Sequence, residues 1–185
     1  MSAILNSSPP TANSRTAQKP STHDLESFAR EVHALLAADL GPAGRERVRL
    51  LLESVLLTPP FAALVGDDQP QKRLLYEDHE LGFEILGHVY HEAKRTKPHD
   101  HGPGWAIYGQ VSGESIMDEW EIVEQATPER TGKVRLSRTY RLQPGQAHLY
   151  NERVLHAPRR EAAAKLIRIE GPGVSGVKRL TWEAV

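Results

Sequence analysis

The stretch His99-Asp100-His101-Gly102-Pro103-Gly104-Trp105 runs directly into Ala106-Ile107-Tyr108-Gly109-Gln110-Val111-Ser112-Gly113. It joins a histidine pair, a glycine-proline turn and an apolar strand. Histidines at positions i and i+2 of an extended segment lie on the same side of the chain. Because neutral imidazole is a common ligand for divalent first-row metals, His99 and His101 form a candidate metal site. The alternative from the residues alone is a polar turn with two exposed histidines.

Short apolar segments with period-two alternation surround this stretch. Examples are Phe83 to Val89 and Val134 to Leu142, and turn residues such as Thr131-Gly132, Pro144-Gly145 and Gly171-Pro172-Gly173 separate the segments. Many short strands with turns at this spacing predict an all-β barrel or sandwich over residues 71–185. No strand–helix alternation supports a nucleotide-binding fold.

The first part of the chain has a different pattern. Residues 1–20 are rich in Ser, Thr, Pro, Asn and Ala, a composition that predicts a disordered tail. Helical spacing of apolar residues then predicts a helix that begins at Ser21, with Asp24 in a capping box, and a second helix from Pro42 that Pro59-Pro60 ends. We therefore expect a single domain over residues 21–185, with a two-helix cap over residues 21–65.

Composition narrows the class of protein. The 185 residues include 39% apolar residues and carry a formal net charge of −1, which argues against nucleic-acid binding through bulk positive charge and against a polybasic membrane anchor. No apolar run approaches the length of a membrane span or of a signal-peptide core. The absence of cysteine excludes disulfides, thiolate ligands and a cysteine nucleophile. We expect a soluble, cytoplasmic protein with neither nucleic acid nor membrane as a partner.

The histidine pair and the strand behind it resemble the first motif of the cupin superfamily, a double-stranded β-helix with a metal in its mouth. Most cupins carry a glutamate ligand four residues after the second histidine, and this chain has Trp105 there. In this respect it is similar to the thiol dioxygenases, which include cysteine dioxygenase and 3-mercaptopropionate dioxygenase. That family holds iron with three histidines and often places a tryptophan close behind the pair.

The resemblance implies further site residues. The second cupin motif places its histidine eleven residues after an opening glycine, which from Gly145 gives His156 as the third ligand; His148 is the alternative. Arg73 lies 26 residues before His99, where cysteine dioxygenases bind the substrate carboxylate with an arginine. Its alternatives are a solvated arginine, or a role for Gln71 as in some bacterial relatives.

The resemblance further implies Fe²⁺ (or another divalent metal) and the oxidation of a small, carboxylated thiol by O₂ to a sulfinate. Trp105 and Glu170 are then expected to contact the substrate. The family's final tyrosine is missing, because the corresponding strand reads Leu166-Ile167-Arg168-Ile169-Glu170. This departure keeps open the alternative of a cupin that binds metal without oxidising its ligand.

Two further sets of residues receive structural interpretations. His88 and His91 are predicted to lie on a strand surface. Tyr108 and Tyr150 are predicted to serve in packing, with a position at the barrel mouth as the alternative.

Overall fold

The computed structural model describes residues 24–174 and 179–185, so the predicted tail and the predicted helix start at Ser21 lie outside the described residues. The first helix, α1, spans Leu25–Ala38, and α2 spans Pro42–Val55. The prediction for the start of α1 needs a correction within the described range. Asp24 is the N-cap residue, because its side chain accepts a hydrogen bond of 2.8 Å from the backbone N–H of Ser27.

The segment after α2 also differs from the prediction. Pro59 and Pro60 do not simply end the helical region, because they open a short helix, α3 (Pro59–Ala62), which continues as a 3₁₀ turn over Ala63–Val65. Proline fits the first turn of a helix, since the backbone N–H that it lacks would have no intrahelical partner there. The helical segments before the first strand therefore extend to Val65.

In the part of the chain that the structure describes, ten strands follow the helices. They are β1 (Lys72–Glu77), β2 (Glu84–Tyr90), β3 (Lys94–Arg95), β4 (Ala106–Ser112), β5 (Ser115–Glu124), β6 (Gly132–Leu142), β7 (Ala147–Tyr150), β8 (His156–Arg160), β9 (Ala164–Glu170) and β10 (Trp182–Ala184). They form two five-stranded sheets, in the orders β1-β2-β9-β4-β7 and β10-β6-β5-β8-β3. All of these pairings are antiparallel except that of β10 with β6.

The strand order identifies the fold. Without the outer strands β1 and β10, the sheets read β2-β9-β4-β7 and β3-β8-β5-β6. This is the order of a jelly roll, or double-stranded β-helix, the architecture that cupins use. The chain is thus mainly β, with a cupin-type barrel and N-terminal helices, as the sequence predicts.

The sheet that contains β2, β9, β4 and β7 is covered on both faces. Its outer face contributes Ile85, Ile107 and Ile167 to a core shared with apolar side chains of α1 and α2. Its inner face contributes Tyr108 and Leu166 to a second core inside the barrel. Because successive residues of a strand point to opposite faces, the phase of each strand decides which side chains reach the interior.

Apolar side chains of the helices lie in the core that they share with the sheet. Among the described residues, no single helix is long and apolar enough to cross a membrane; α2 and Pro59–Val65 meet the length and composition criteria only as a pair bent by 96°.

Candidate metal centre

The barrel brings the predicted third histidine next to the histidine pair. His99 lies in the loop between β3 and β4, and His156 is the first residue of β8. The two residues form an antiparallel bridge with reciprocal backbone hydrogen bonds of 3.0 and 2.9 Å. A tight turn then places His101, since the N–H of Gly104 donates to the carbonyl of His101 over 3.1 Å and Gly102 has a φ of 59°.

The three histidines form a compact cluster. Each offers a ring nitrogen, and the three nitrogens lie within 4.8 Å of one another. His101 and His156 are 3% and 0% exposed, whereas His99 is half-buried at the edge of the barrel mouth. Three imidazoles that meet from separate segments, with one side open to a cavity, are suited to a divalent metal.

Backbone contacts indicate which nitrogens are available to a metal. The Nδ1 atoms of His99 and His156 lie 2.9 Å from the carbonyl oxygens of Lys97 and Val154, respectively. A carbonyl oxygen only accepts hydrogen bonds, so each Nδ1 carries the proton of the neutral ring and each Nε2 keeps its lone pair. This second layer of hydrogen bonds resembles the support that metal-bound histidines usually have.

Burial keeps the cluster neutral. Desolvation lowers the pKa of His101 to about 2, and the cation of Arg168 acts in the same direction. Desolvation also lowers the pKa of His99 and sets that of His156 well below its ordinary value, with the neighbouring histidines adding to the shift of His156. A neutral imidazole is the form that binds a metal, so the donor set fits a divalent ion.

Tyr108 is a site residue for which the sequence interpretation preferred a packing role, with the barrel mouth as the alternative. Its buried hydroxyl lies 3.3 Å from the Nε2 atoms of both His101 and His156. The phenol reaches this position because Tyr108 has the inward phase of β4, opposite Arg168 of β9. The signal available in the sequence was the i, i+2 relation of Ala106, Tyr108 and Gln110, but only the pairing of β4 shows that this phase faces inward. Tyr150 also lies at the site, with its ring stacked on His156 at a centroid distance of 3.9 Å.

A cavity of about 890 Å³ opens beside the triad, with His99 and Tyr108 in its wall. Its charged lining is mostly cationic. Over the described residues the cations are Lys94, Lys97, Arg160, Arg168 and Arg179, and the carboxylate is that of Glu183. The site therefore joins a neutral donor set to a positively charged chamber, which favours an anionic ligand.

Arg168 and Glu170 lie on the inward face of β9. The guanidinium of Arg168 stacks over the ring of Tyr108, with its central carbon 4.1 Å from the ring centroid. The same guanidinium forms an ion pair with Glu170, which is buried and also lies 3.9 Å from the ammonium of Lys72. Glu170 thus faces the barrel interior, where it is neutralised by cations and does not line the cavity.

The structure does not bring Arg73 to the triad. Arg73 pairs with Gly87, and a Cβ added to Gly87 would lie 3.1 Å from Val65, which shows that this phase faces the helical cap. The Arg73 guanidinium donates instead to the carbonyl of Leu64 over 3.2 Å. The expectation that Arg73 binds a substrate carboxylate is therefore corrected, because the side chain lies on the outer face of the sheet.

Trp105 also lies away from the triad. It is buried in the core between the sheet and the helices, and the guanidinium of Arg45 lies 5.5 Å from its ring centroid. The indole packs closely on Gly171, where a Cβ would come within 2.2 Å of the indole nitrogen. Trp105 is consequently a packing residue directly before β4, and it does not line the cavity beside the triad, in contrast to its predicted role.

The two other histidine interpretations can also be compared with the structure. His148, the alternative third ligand, lies on β7 with its Nε2 3.3 Å from a carboxylate oxygen of Glu119, outside the triad. His88 is not on a strand surface as expected, because it is buried inside the barrel with Nδ1 3.3 Å from the hydroxyl of Tyr90. Burial lowers the pKa of His88 to about 2.

No family model matches this sequence, and no curated protein matches it. Among solved structures, a cupin superfamily protein from Desulfitobacterium hafniense is similar, with 14% identity, coverage of 60% of this chain and 87% of that chain, and a TM-score of 0.43. A cupin-2 domain protein from Shewanella frigidimarina has 15% identity, coverage of 59% and 86%, and a TM-score of 0.40. KdgF from Halomonas has 17% identity, coverage of 58% and 85%, and a TM-score of 0.40. At these values, the assignment of a cupin-type barrel rests on the strand order of this chain.

Proposed function

We propose that this protein is a metal-dependent oxidoreductase that converts an anionic thiol and O₂ to a sulfinate, in the manner of the thiol dioxygenases. The observation that carries the proposal is the His99, His101 and His156 cluster, which offers three neutral imidazoles and no carboxylate at the edge of a cationic cavity. Both oxygen atoms of O₂ are transferred to sulfur, so the reaction needs no further reductant.

Iron(II) held by three neutral imidazoles would keep its full positive charge, favour a thiolate over a thiol and supply the redox chemistry with O₂. The residues of the chain would provide the surroundings. The Tyr108 hydroxyl lies close enough to the triad to donate a hydrogen bond to a reacting atom there. It replaces, from β4, the hydroxyl that the family supplies from its last strand.

Arg168 is the cation that we propose for orienting the substrate near the triad. It lines the cavity, stacks on Tyr108 and contributes to the low pKa of His101, which indicates that its charge acts at the histidines. A guanidinium binds a carboxylate through a charge-assisted hydrogen bond. In this proposal Arg168 takes the role that the resemblance to thiol dioxygenases implied for Arg73.

The test is oxygen uptake by iron-loaded protein with 3-mercaptopropionate, cysteine and cysteamine, combined with detection of the sulfinate by mass spectrometry. Replacing Arg168 with Gln should raise KM for the carboxylated thiols roughly 10- to 100-fold and leave KM for cysteamine nearly unchanged. Arg95→Gln is the matched control, because Arg95 is exposed and pairs with Glu161. No thiol-dependent oxygen uptake by fully iron-loaded protein would contradict the proposed reaction.

A second candidate is a cupin that binds metal and a small molecule without oxidising it. The positions of Arg73 and Trp105 favour keeping this candidate, because two residues on which the likeness to thiol dioxygenases relied lie outside the cavity. Stoichiometric metal with tight anion binding and no oxygen uptake would identify this class.

A further inference from the structure

The cavity extends well beyond the three histidines. His156 and Arg160 are the two ends of β8. Because they are an even number of residues apart, they lie on the same face of the strand, which is the face turned to the barrel interior. Four residues of strand separate their Cα atoms by about 13 Å. The cavity wall runs from His99 and Tyr108, at the triad, to Tyr90 and Arg160. A molecule of the size of cysteine would fill only a small part of this cavity of about 890 Å³.

Arg160 is a buried cation without a counter-charge. Its side chain is 2% exposed, its Nε has no hydrogen-bond partner, and among the described residues no carboxylate forms an ion pair with it. The guanidinium stacks on the ring of Tyr90, with its central carbon 4.1 Å from the centroid. A buried charge that lacks a partner is costly, so such a group points to an anion that binds there.

The surroundings of Arg160 add positive charge. Lys94 is its partner across the β3–β8 ladder, and the Lys94 ammonium lies 5.4 Å from the Tyr90 ring centroid. Burial lowers the pKa of Arg160, but an arginine remains cationic at neutral pH. Arg168 differs from Arg160 in this respect, because it forms an ion pair with Glu170.

We infer that Arg160, with Lys94, forms an anion subsite at the far end of the cavity, and that the natural ligand is an elongated molecule with a carboxylate remote from the group that meets the histidines. The inference rests on the proposed function only for the thiol at the triad end. It assigns the substrate to longer ω-carboxylated thiols, instead of the small thiols of the resembled family.

The first experiment uses the unaltered protein. Calorimetric titrations under nitrogen would compare 3-mercaptopropionate, 6-mercaptohexanoate and 6-mercaptohexanol on the cobalt-loaded protein. We expect 6-mercaptohexanoate to bind about 10- to 100-fold more tightly than 6-mercaptohexanol, because at equal length only the acid carries a charge for Arg160. 3-Mercaptopropionate is the short-chain comparison. Equal affinities for the acid and the alcohol of the same length would overturn the subsite.

The second experiment uses variants of Arg160. Arg160→Met keeps a long, flexible side chain and removes the charge, so it should abolish the advantage of the carboxylate, while Arg160→Lys should restore part of it. Arg95→Met, on the exposed side of β3, is the control and should bind all three compounds like the unaltered protein. An unchanged preference for the acid in Arg160→Met would show that another group binds the carboxylate.

A third titration separates this inference from the proposed reaction. Hexanoate lacks the thiol, and its binding to metal-free protein should weaken about 10-fold or more in Arg160→Met. If this result is obtained but no thiol is oxidised, then the anion subsite stands and the dioxygenase proposal fails. If thiols are oxidised but hexanoate binds Arg160→Met and the unaltered protein equally, the subsite fails alone.

Discussion

At the scale of the residue, hydrogen bonding by one ring nitrogen prepares the other for a ligand. The backbone carbonyls of Lys97 and Val154 each hold an Nδ1 proton, which leaves the Nε2 atoms of His99 and His156 as free donors to a metal. His101 and His156 are also shielded from water, so protons compete poorly for them. The cluster is therefore arranged for a cation before one binds.

Replacing His156 with Ala should remove stoichiometric metal from the purified protein. Two ring nitrogens would remain, too few for a stable site, and the loss of an outer-layer contact alone already costs 10- to 100-fold in affinity in other metal sites, so loss of a ligand should cost at least about that much. His148→Ala is the matched control, because His148 contacts Glu119 and lies outside the triad. Elemental analysis of both variants decides the matter; metal retained in His156→Ala and lost in His148→Ala would reverse the ligand assignment.

Part of the metal site could be predicted from the sequence alone. The i, i+2 spacing of His99 and His101, together with the motif spacing to His156, was sufficient to select the three histidines that the structure brings together. The spacing that selected Arg73 was not sufficient. Strand alternation predicts that Arg73 and its neighbours along β1 point to opposite faces of the sheet in turn. Which of the two faces becomes the barrel interior depends on the pairing of β1 with β2 and on the helices that cover the other face.

At the scale of the element, the helices determine which face of the sheet becomes the interior. Leu52 and Leu56 of the α2 segment lie against Gly109 of β4, where a Cβ would come within 2.8 Å of both side chains. This close approach seals the outer face with apolar side chains. Helical and period-two patterns predicted these elements well, because each pattern is local. No comparable local pattern indicates how the cap packs on β4, because that packing depends on residues far apart in the chain.

Leu52→Ala should destabilise the protein by about 2–5 kcal/mol, because Leu52 is fully buried between α2 and the sheet and its truncation leaves a cavity. Leu50→Ala, on the exposed side of the same helix, should change the free energy of unfolding by about 0.5 kcal/mol or less. Denaturant unfolding of the metal-free proteins measures both. Equal stability of the two variants would mean that the cap contributes little to the barrel.

At the scale of the whole molecule, the barrel encloses several ionisable groups that burial keeps neutral. His88 and His101 both have a pKa of about 2 in the folded state, with desolvation as the main cause. The cationic chamber adds to these shifts, since Arg168 contributes to both. A sequence pattern could not reveal this environment, because His88 becomes buried only when β2 pairs with β9 and the barrel closes.

This environment makes the stability of the metal-free protein depend on pH. Below the unfolded-state pKa of 6.5, the unfolded chain binds protons that the buried histidines cannot bind in the folded state, so the free energy of unfolding must fall as pH falls. Between pH 7.5 and 5.5, each such histidine should cost about 1.4 kcal/mol. His33 acts in the opposite direction, because its hydrogen bond with Asp78 raises its pKa and favours the folded state at low pH.

His88→Gln should therefore reduce the loss of stability between pH 7.5 and 5.5 by about 1.4 kcal/mol, because glutamine does not titrate. His33→Gln should increase the loss, since it removes a contact that strengthens as pH falls. Denaturant unfolding at the two pH values, with each variant compared with itself, separates these changes from any constant effect of the substitution. Asp78, the carboxylate that contacts His33, does not interfere, because its lowered pKa places its titration below this window. An unchanged pH dependence in His88→Gln would mean that His88 is accessible to protons in the folded barrel.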